Sequence, residues 1–185
     1  MTKSPLKSVL LITAMGVLLS FDLPIGWIKR GSDPDKYEMG IEKGVGQNSK
    51  NAATIKSIEK KIDGFGTLMQ TCLPGKYLSK RVKMTGYMKS KDVLGWASFW
   101  MRVDRSDTTL QGDSVLRKTV SFDNMEDRSI KGTTDWKKYE IVLDVPTNAS
   151  RISFGGMLIG TGQICFDNLN FEIFDNSVPV TKPSE

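Results

Sequence analysis

The sequence predicts an all-β domain, an antiparallel β-sandwich, on three observations. Apolar residues recur with period two in several short runs. Turn-forming residues, among them seventeen glycines, separate those runs. No stretch carries the 3.6-residue periodicity of a long helix. With 185 residues, 39% of them hydrophobic and 25% charged, the chain suits one globular domain plus short extras.

The elements follow in order. Residues 1–21, MTKSPLKSVLLITAMGVLLSF, have a short basic start and an apolar run from Val9 to Leu19. That run is shorter than the ~20 residues that cross a bilayer, and it matches the basic and apolar regions of a secretory signal. Leu18 and Ser20 make a poor small-x-small cleavage site, so an uncleaved membrane anchor or a misplaced start codon are the competing readings. The expected location is periplasmic or extracellular, or cytoplasmic if this segment is no signal. Nothing after Phe21 is apolar for long enough to span a membrane.

Residues 22–175 form the predicted sandwich. DLPIGWIKRGSDPDKYEMG, punctuated by Pro24, Gly26, Gly31 and Pro34, reads as an extended lead-in and turn. KNAATIKSI (50–58) and GFGTLMQTCL (64–73) read as strands, and PGKYL (74–78) as a turn with one helical turn at most. KRVKMTGYMKS (80–90) alternates cleanly: Val82, Met84, Gly86 and Met88 face in, with Arg81, Lys83, Thr85, Tyr87 and Lys89 facing out. After the short connection KDVLG, GWASFWMRVD reads as the neighbouring strand. Residues 105–119 read as a polar loop, VSFDNM as a short strand and EDRSIKGTTD as a charged loop. KYEIVLDVP (138–146) places Tyr139, Ile141, Leu143 and Val145 inward. ASRISFGGMLIGTG and QICFDNLNFEIFD close the domain as two strands joined by a Gly-Thr-Gly turn. Residues 176–185 read as a frayed, disordered tail.

Composition excludes several functions. The net charge of +5, from 26 basic and 21 acidic residues, is spread along the chain. It offers no clustered basic stripe, so no nucleic acid is expected as a partner. The absence of histidine removes His-based triads and His-rich metal sites. Cys72 and Cys165 are too few for structural zinc. They read as small buried hydrophobes, or as a disulfide in an oxidising compartment. GVGQNSKN (44–51) lacks the Gly-Lys-Ser/Thr ending of a phosphate loop.

The stretches GWASFWMRVD, DNMEDRSIKGTTDWKKYEIVLDVP and GTGQICFDNLNFE resemble a family of bacterial β-sandwich domains. These occur alone or C-terminal to AraC-type helix-turn-helix transcriptional regulators, and they are similar to carbohydrate-binding modules. The resemblance covers about Leu23 to Phe174. It implies a jelly-roll, galactose-binding-domain-like fold. It does not carry over DNA binding, since the chain has no DNA-binding half. It also implies a structural calcium at Asp167, with Asn168 standing where many members have a second aspartate. One charge fewer weakens such a site.

The candidate binding face starts from GWASFWMRVD. Ala97, Phe99, Met101 and Val103 point to the core. Trp96, Ser98, Trp100, Arg102 and Asp104 point the other way. Sugars need this mixture: a pyranose stacks its C–H face on an aromatic plane, and its hydroxyls pair with carboxylates, guanidinium groups and amides. Tyr87, outward on the preceding strand, would join if the two strands pair. Trp136, Asn124, Asp123 and Gln163 are candidates to ring the same site. The competing reading is coverage, with GWIKRGSDPDKYEMG laying Trp27 and Tyr37 over the tryptophans. Arg102 and Asp104 would then be a surface ion pair worth little.

The expectation is a non-catalytic module that binds carbohydrate or a similar polar ligand. On that reading Trp96→Ala and Trp100→Ala both leave the fold intact. The alternatives are an effector-sensing or partner-binding module, and a carboxylate-dependent hydrolase using loop acids such as Asp123.

Overall fold

The structure is a computed structural model that describes residues 21–181, apart from Pro24 and residues 112–113; for residues 49, 107–111 and 114–116 it describes the backbone alone. The expected leader therefore lies outside the described residues, save for Phe21. Among the described residues eight strands run antiparallel: β1 (Ile28–Gly31), β2 (Tyr37–Glu42), β3 (Ala52–Ser57), β4 (Phe65–Cys72), β5 (Lys80–Gln111), β6 (Ser114–Asp123), β7 (Ile130–Val145) and β8 (Ala149–Phe174). Single 3-10 turns at Pro34–Lys36, Gln47–Ser49, Gly75–Tyr77 and Glu126–Arg128 are the helical elements among the described residues. None of them is long and apolar enough to cross a membrane.

β5 and β8 form the spine. They pair antiparallel from Arg81↔Phe174 to Arg105↔Ala149, with a break in register between Lys91 and Leu94. At that break the whole ribbon turns a corner. Gly95 (φ +113°) and Gly160 (φ +76°) sit opposite each other there. A Cβ on Gly95 would lie 2.4 Å from Ile159 O, and one on Gly160 2.2 Å from Leu94 O. Only glycine tolerates both the positive φ and the close approach.

The corner makes two sheets from one ribbon. The first sheet runs β7, β5 (80–91), β8 (163–174), β3, β2. The second runs β6, β5 (96–106), β8 (149–159), β4, β1. Val82, Met84 and Met88 of the first share one buried core with Ala97, Phe99, Met101 and Val103 of the second, as the alternation predicts. Phenylalanines and glycines interlock across that core. A Cβ on Gly86 would strike the Phe99 ring, and one on Gly156 the Phe166 ring, while the two rings meet edge to face at 5.7 Å. The result is the expected jelly-roll β-sandwich.

Three local expectations are corrected and one is extended. KDVLG and Gly-Thr-Gly do not reverse the chain; they are the two sides of the corner, and GWASFWMRVD continues β5 into the other sheet. The lead-in is extended with a turn at Pro34–Lys36, as expected, and its extended parts pair as β1 and β2, with Asp22 bridged to Ile41. The two polar loops are largely strand: residues 105–111 belong to β5 and 114–119 to β6, paired antiparallel, and β7 begins at Ile130. Arg117, Lys118, Thr119, Lys131, Thr133 and Asp135 are exposed, and polar residues on the wet face of a strand resemble those of a loop. The tail is tied down as far as Thr181. Thr181 N donates to Val142 O at 2.9 Å, and Arg81 donates to Asn176 O and Val178 O while pairing with Asp144 at 2.7 Å.

Candidate functional site

The outer face of the second sheet carries the site. Period-two alternation puts Trp96, Ser98, Trp100, Arg102 and Asp104 on that face, and the register sets Ile159, Met157, Gly155, Ser153 and Arg151 beside them. β4 adds Phe65, Thr67 and Met69, and β6 adds Phe122. The hollow these strands enclose measures about 590 Å³. Arg30 and Gly31 of β1 form one wall, and Phe122 and Asn124 the other.

The two tryptophans differ. Trp100 is 8% exposed, and its indole N–H donates to Thr67 Oγ1 at 2.8 Å. To do so it crosses β8 at Gly155, its register partner, where no side chain stands in the way. Thr67 donates onward to Gly156 O at 2.7 Å. Trp100 is thus the floor of the groove, pinned by its edge. Trp96 is half-buried on the wall, and Phe122 is the most open aromatic at 38%.

Asp104 is not a surface carboxylate. It is 2% exposed. Arg151 takes Oδ2 with Nε at 3.1 Å and Nη2 at 2.7 Å, Thr119 donates to Oδ1 at 3.1 Å, and Arg102 Nε lies 3.1 Å from Oδ1. The expectation of a solvent-exposed ion pair is corrected: this one is buried at the acidic end and holds Arg102 and Arg151 side by side. Asp104 itself does not line the groove.

Asn124 reaches the groove because Asp123 shapes its loop. The fully buried Asp123 carboxylate accepts from Met125 N at 2.8 Å and pairs with Arg128 at 2.6 Å. It holds Met125 at φ +56°, its side chain in the core. Asp123 is therefore a loop clamp and not a groove residue.

Three candidates fall on the first sheet, away from the groove. Tyr87 pairs with Lys138 and Asp167, since the corner separates it from Trp96. Trp136 lies under the Lys89 ammonium, 5.1 Å from the ring centroid. Gln163 donates to Glu42 Oε2 at 2.8 Å and Thr54 Oγ1 at 3.1 Å. Asp167 accepts from Asn168 N at 2.7 Å. No group of three or more acidic or cysteine side chains gathers round a common point among the described residues. Calcium takes six to eight oxygens, from carboxylates, amides and backbone carbonyls; beside Asp167, the Asn168 amide donates to Gln47 Oε1 at 2.9 Å. Cys72 is exposed, Cys165 is buried, and both are free thiols.

The lead-in does not cover the tryptophans. Trp27 packs on Phe154 and Phe166 at about 6 Å, and Tyr37 is buried in the core with its hydroxyl 2.8 Å from Gly160 O. What the lead-in gives the groove is a wall, through Arg30 and Gly31. Sequence reasoning missed Arg30, Phe65, Thr67, Met69, Phe122, Met157 and Ile159. One signal was available: FGTLM and MLI carry apolar residues on both strand faces, which a sandwich with one wet face does not need.

No protein-family model matches the sequence. The chain is 43% identical over 157 residues to an uncharacterised HTH-type transcriptional regulator, YbfP, of Bacillus subtilis; the match covers 84% of this chain and 50% of the regulator. The chain thus spans about half the length of the curated relative it matches. Among solved structures, the CBM22-1-GH10 modules of Clostridium thermocellum xylanase 10B, complexed with xylohexaose, align at TM-score 0.53 and 15% identity, over 85% of this chain and 28% of that one. The CBM22-1 xylan-binding domain of Paenibacillus barcinonensis Xyn10C aligns at 0.52 and 11%, over 83% and 89%. The enzymatically active domain of bacteriophage CBA120 tailspike protein 4 aligns at 0.52 and 12%, over 81% and 20%. The chain is a jelly-roll β-sandwich domain, alike in fold to carbohydrate-binding modules and similar in sequence to half the length of a helix-turn-helix regulator.

Proposed function

We propose that the domain is a non-catalytic module that binds carbohydrate in the groove over Trp100. The observation that carries this reading is the convergence of Trp96, Phe122, Arg102 and Asn124 on one hollow of about 590 Å³. Its floor is apolar and held rigid by the Trp100–Thr67 hydrogen bond, so little ordering entropy remains to be lost on binding. Aromatic walls take the C–H face of a sugar ring, and the guanidinium and amide take its hydroxyls. The xylan-binding domains that share the fold support a β-linked chain as ligand. Two of the carboxylates a hydrolase could use, Asp104 and Asp123, are committed to arginines. Isothermal titration of xylohexaose and other oligosaccharides into the domain tests the reading. Saturable binding lost in Trp96→Ala supports it; no binding to any glycan on an array sinks it.

The similarity to YbfP favours a second reading, in which the same groove senses an effector inside a regulator. Fusion of this domain in place of the matching part of such a regulator separates the two: sugar-dependent transcription marks the sensor.

A further inference from the structure

We infer that the groove selects saccharides bearing a carboxylate, such as a chain carrying a uronic acid. This inference rests on the carbohydrate reading above. The ionisable residues that line the groove are Arg30 and Arg102, and no carboxylate lines it among the described residues. The acid beneath them, Asp104, is 2% exposed and offset by two arginines, Arg102 and Arg151. That cluster keeps one net positive charge.

The hydrogen bonding sharpens the asymmetry. Arg151 forks onto Asp104 Oδ2 through two N–H groups, while Oδ1 accepts from Thr119. Arg102 Nε is close to Oδ1, at 3.1 Å, but makes no aligned hydrogen bond. It is one of four buried polar side-chain atoms without a hydrogen-bond partner among the described residues, with Ser98 Oγ, Arg105 Nε and Ser153 Oγ, and all four belong to β5 and β8. Arg102 is therefore positioned by Asp104 without being consumed by it, and 37% of its side chain remains exposed. A guanidinium in that state matches the two oxygens of a carboxylate, and it sits in register with Phe122, so a ring stacked on Phe122 brings its carboxylate to Arg102. Arg30 on the opposite wall adds a second positive charge.

The test is made on the ligand, which leaves the protein intact. Three xylo-oligosaccharides of one length are titrated calorimetrically into the domain: neutral, bearing one uronic acid, and bearing the methyl ester of that acid. The acid is expected to bind about tenfold tighter than the ester at low salt, with the gap narrowing at high salt. In Arg102→Gln and, separately, in the exposed Arg30→Gln, the acid-to-ester ratio is expected to fall towards one. Equal affinity for acid and ester overturns the inference and leaves the carbohydrate reading standing. Silence from all three ligands overturns both.

Discussion

The indole of Trp100 donates to Thr67 across the strand that lies between them, at 2.8 Å, and Thr67 passes a hydrogen bond of 2.7 Å to Gly156 of that middle strand. Three strands of one sheet are thus tied by side chains over the floor of the groove. Thr67→Val keeps the shape and removes the hydroxyl. It leaves a buried indole N–H without a partner, which costs about 1–3 kcal/mol. Urea denaturation should show a lower midpoint with unchanged slope, and Thr67→Ser should recover most of it.

The two tryptophans should separate experimentally. Trp96 is half-buried on a wall, so Trp96→Ala should weaken sugar binding tenfold or more while the melting temperature moves by a few degrees. Trp100 is 8% exposed and hydrogen-bonded, so Trp100→Ala should cost about 3–5 kcal/mol. This corrects the expectation that both variants keep their stability. Differential scanning calorimetry beside titration of an oligosaccharide distinguishes them; equal melting temperatures for the two variants would contradict the burial.

The Tyr37 phenol is pushed up to about 12 by burial, with the nearby Asp33 charge adding to it. A raised pKa means that the folded state holds this proton more tightly than the unfolded chain. The contribution is fully present below pH about 10 and is lost as pH rises from there through about 12. Tyr37→Phe should flatten this alkaline limb of stability. It should also cost about 1 kcal/mol at neutral pH, because the hydroxyl bonds the corner residue Gly160 at 2.8 Å. Chemical denaturation at pH 8, 10 and 11 reads both effects.

Asp104→Asn keeps the volume but removes the charge that two arginines share. Both arginines are about a third exposed, so solvent softens the loss to about 1–3 kcal/mol. Arg102 should also lose its fixed position, so oligosaccharide affinity should fall together with stability. A variant with wild-type stability and weakened binding would mean that Asp104 acts only through Arg102.

The fold was legible because its signals are local. Ala97, Phe99, Met101 and Val103 alternate with polar neighbours, and a half-buried strand leaves that mark wherever it occurs. The same holds for Val82, Met84 and Met88 on the other side of the corner. The groove was legible only in its β5 part, from Trp96, Trp100 and Arg102. Phe65, Thr67, Met157 and Ile159 reach it through pairings of strands distant in the chain, and no local pattern encodes those pairings.

From sequence alone came the sandwich, the core face of each long strand and the two-sided character of GWASFWMRVD. The tertiary structure decided where that strand goes and what meets its outer face. A run such as KDVLG reads equally as a reversing turn or as a corner, because both need glycine and a break in pairing. Which one forms depends on β8 carrying its own glycines, Gly160 and Gly162, to the same point from about seventy residues away. Once the ribbon bends there, Tyr87 moves to the other sheet, Arg30 moves to the groove, and Asp104 sinks beneath Arg102. The outer face of GWASFWMRVD is covered not by the lead-in but by its own side chains, with Trp100 leaning over Gly155 to Thr67. Burial and partnership are properties of strand pairing at a distance, and the tertiary structure alone supplies that pairing.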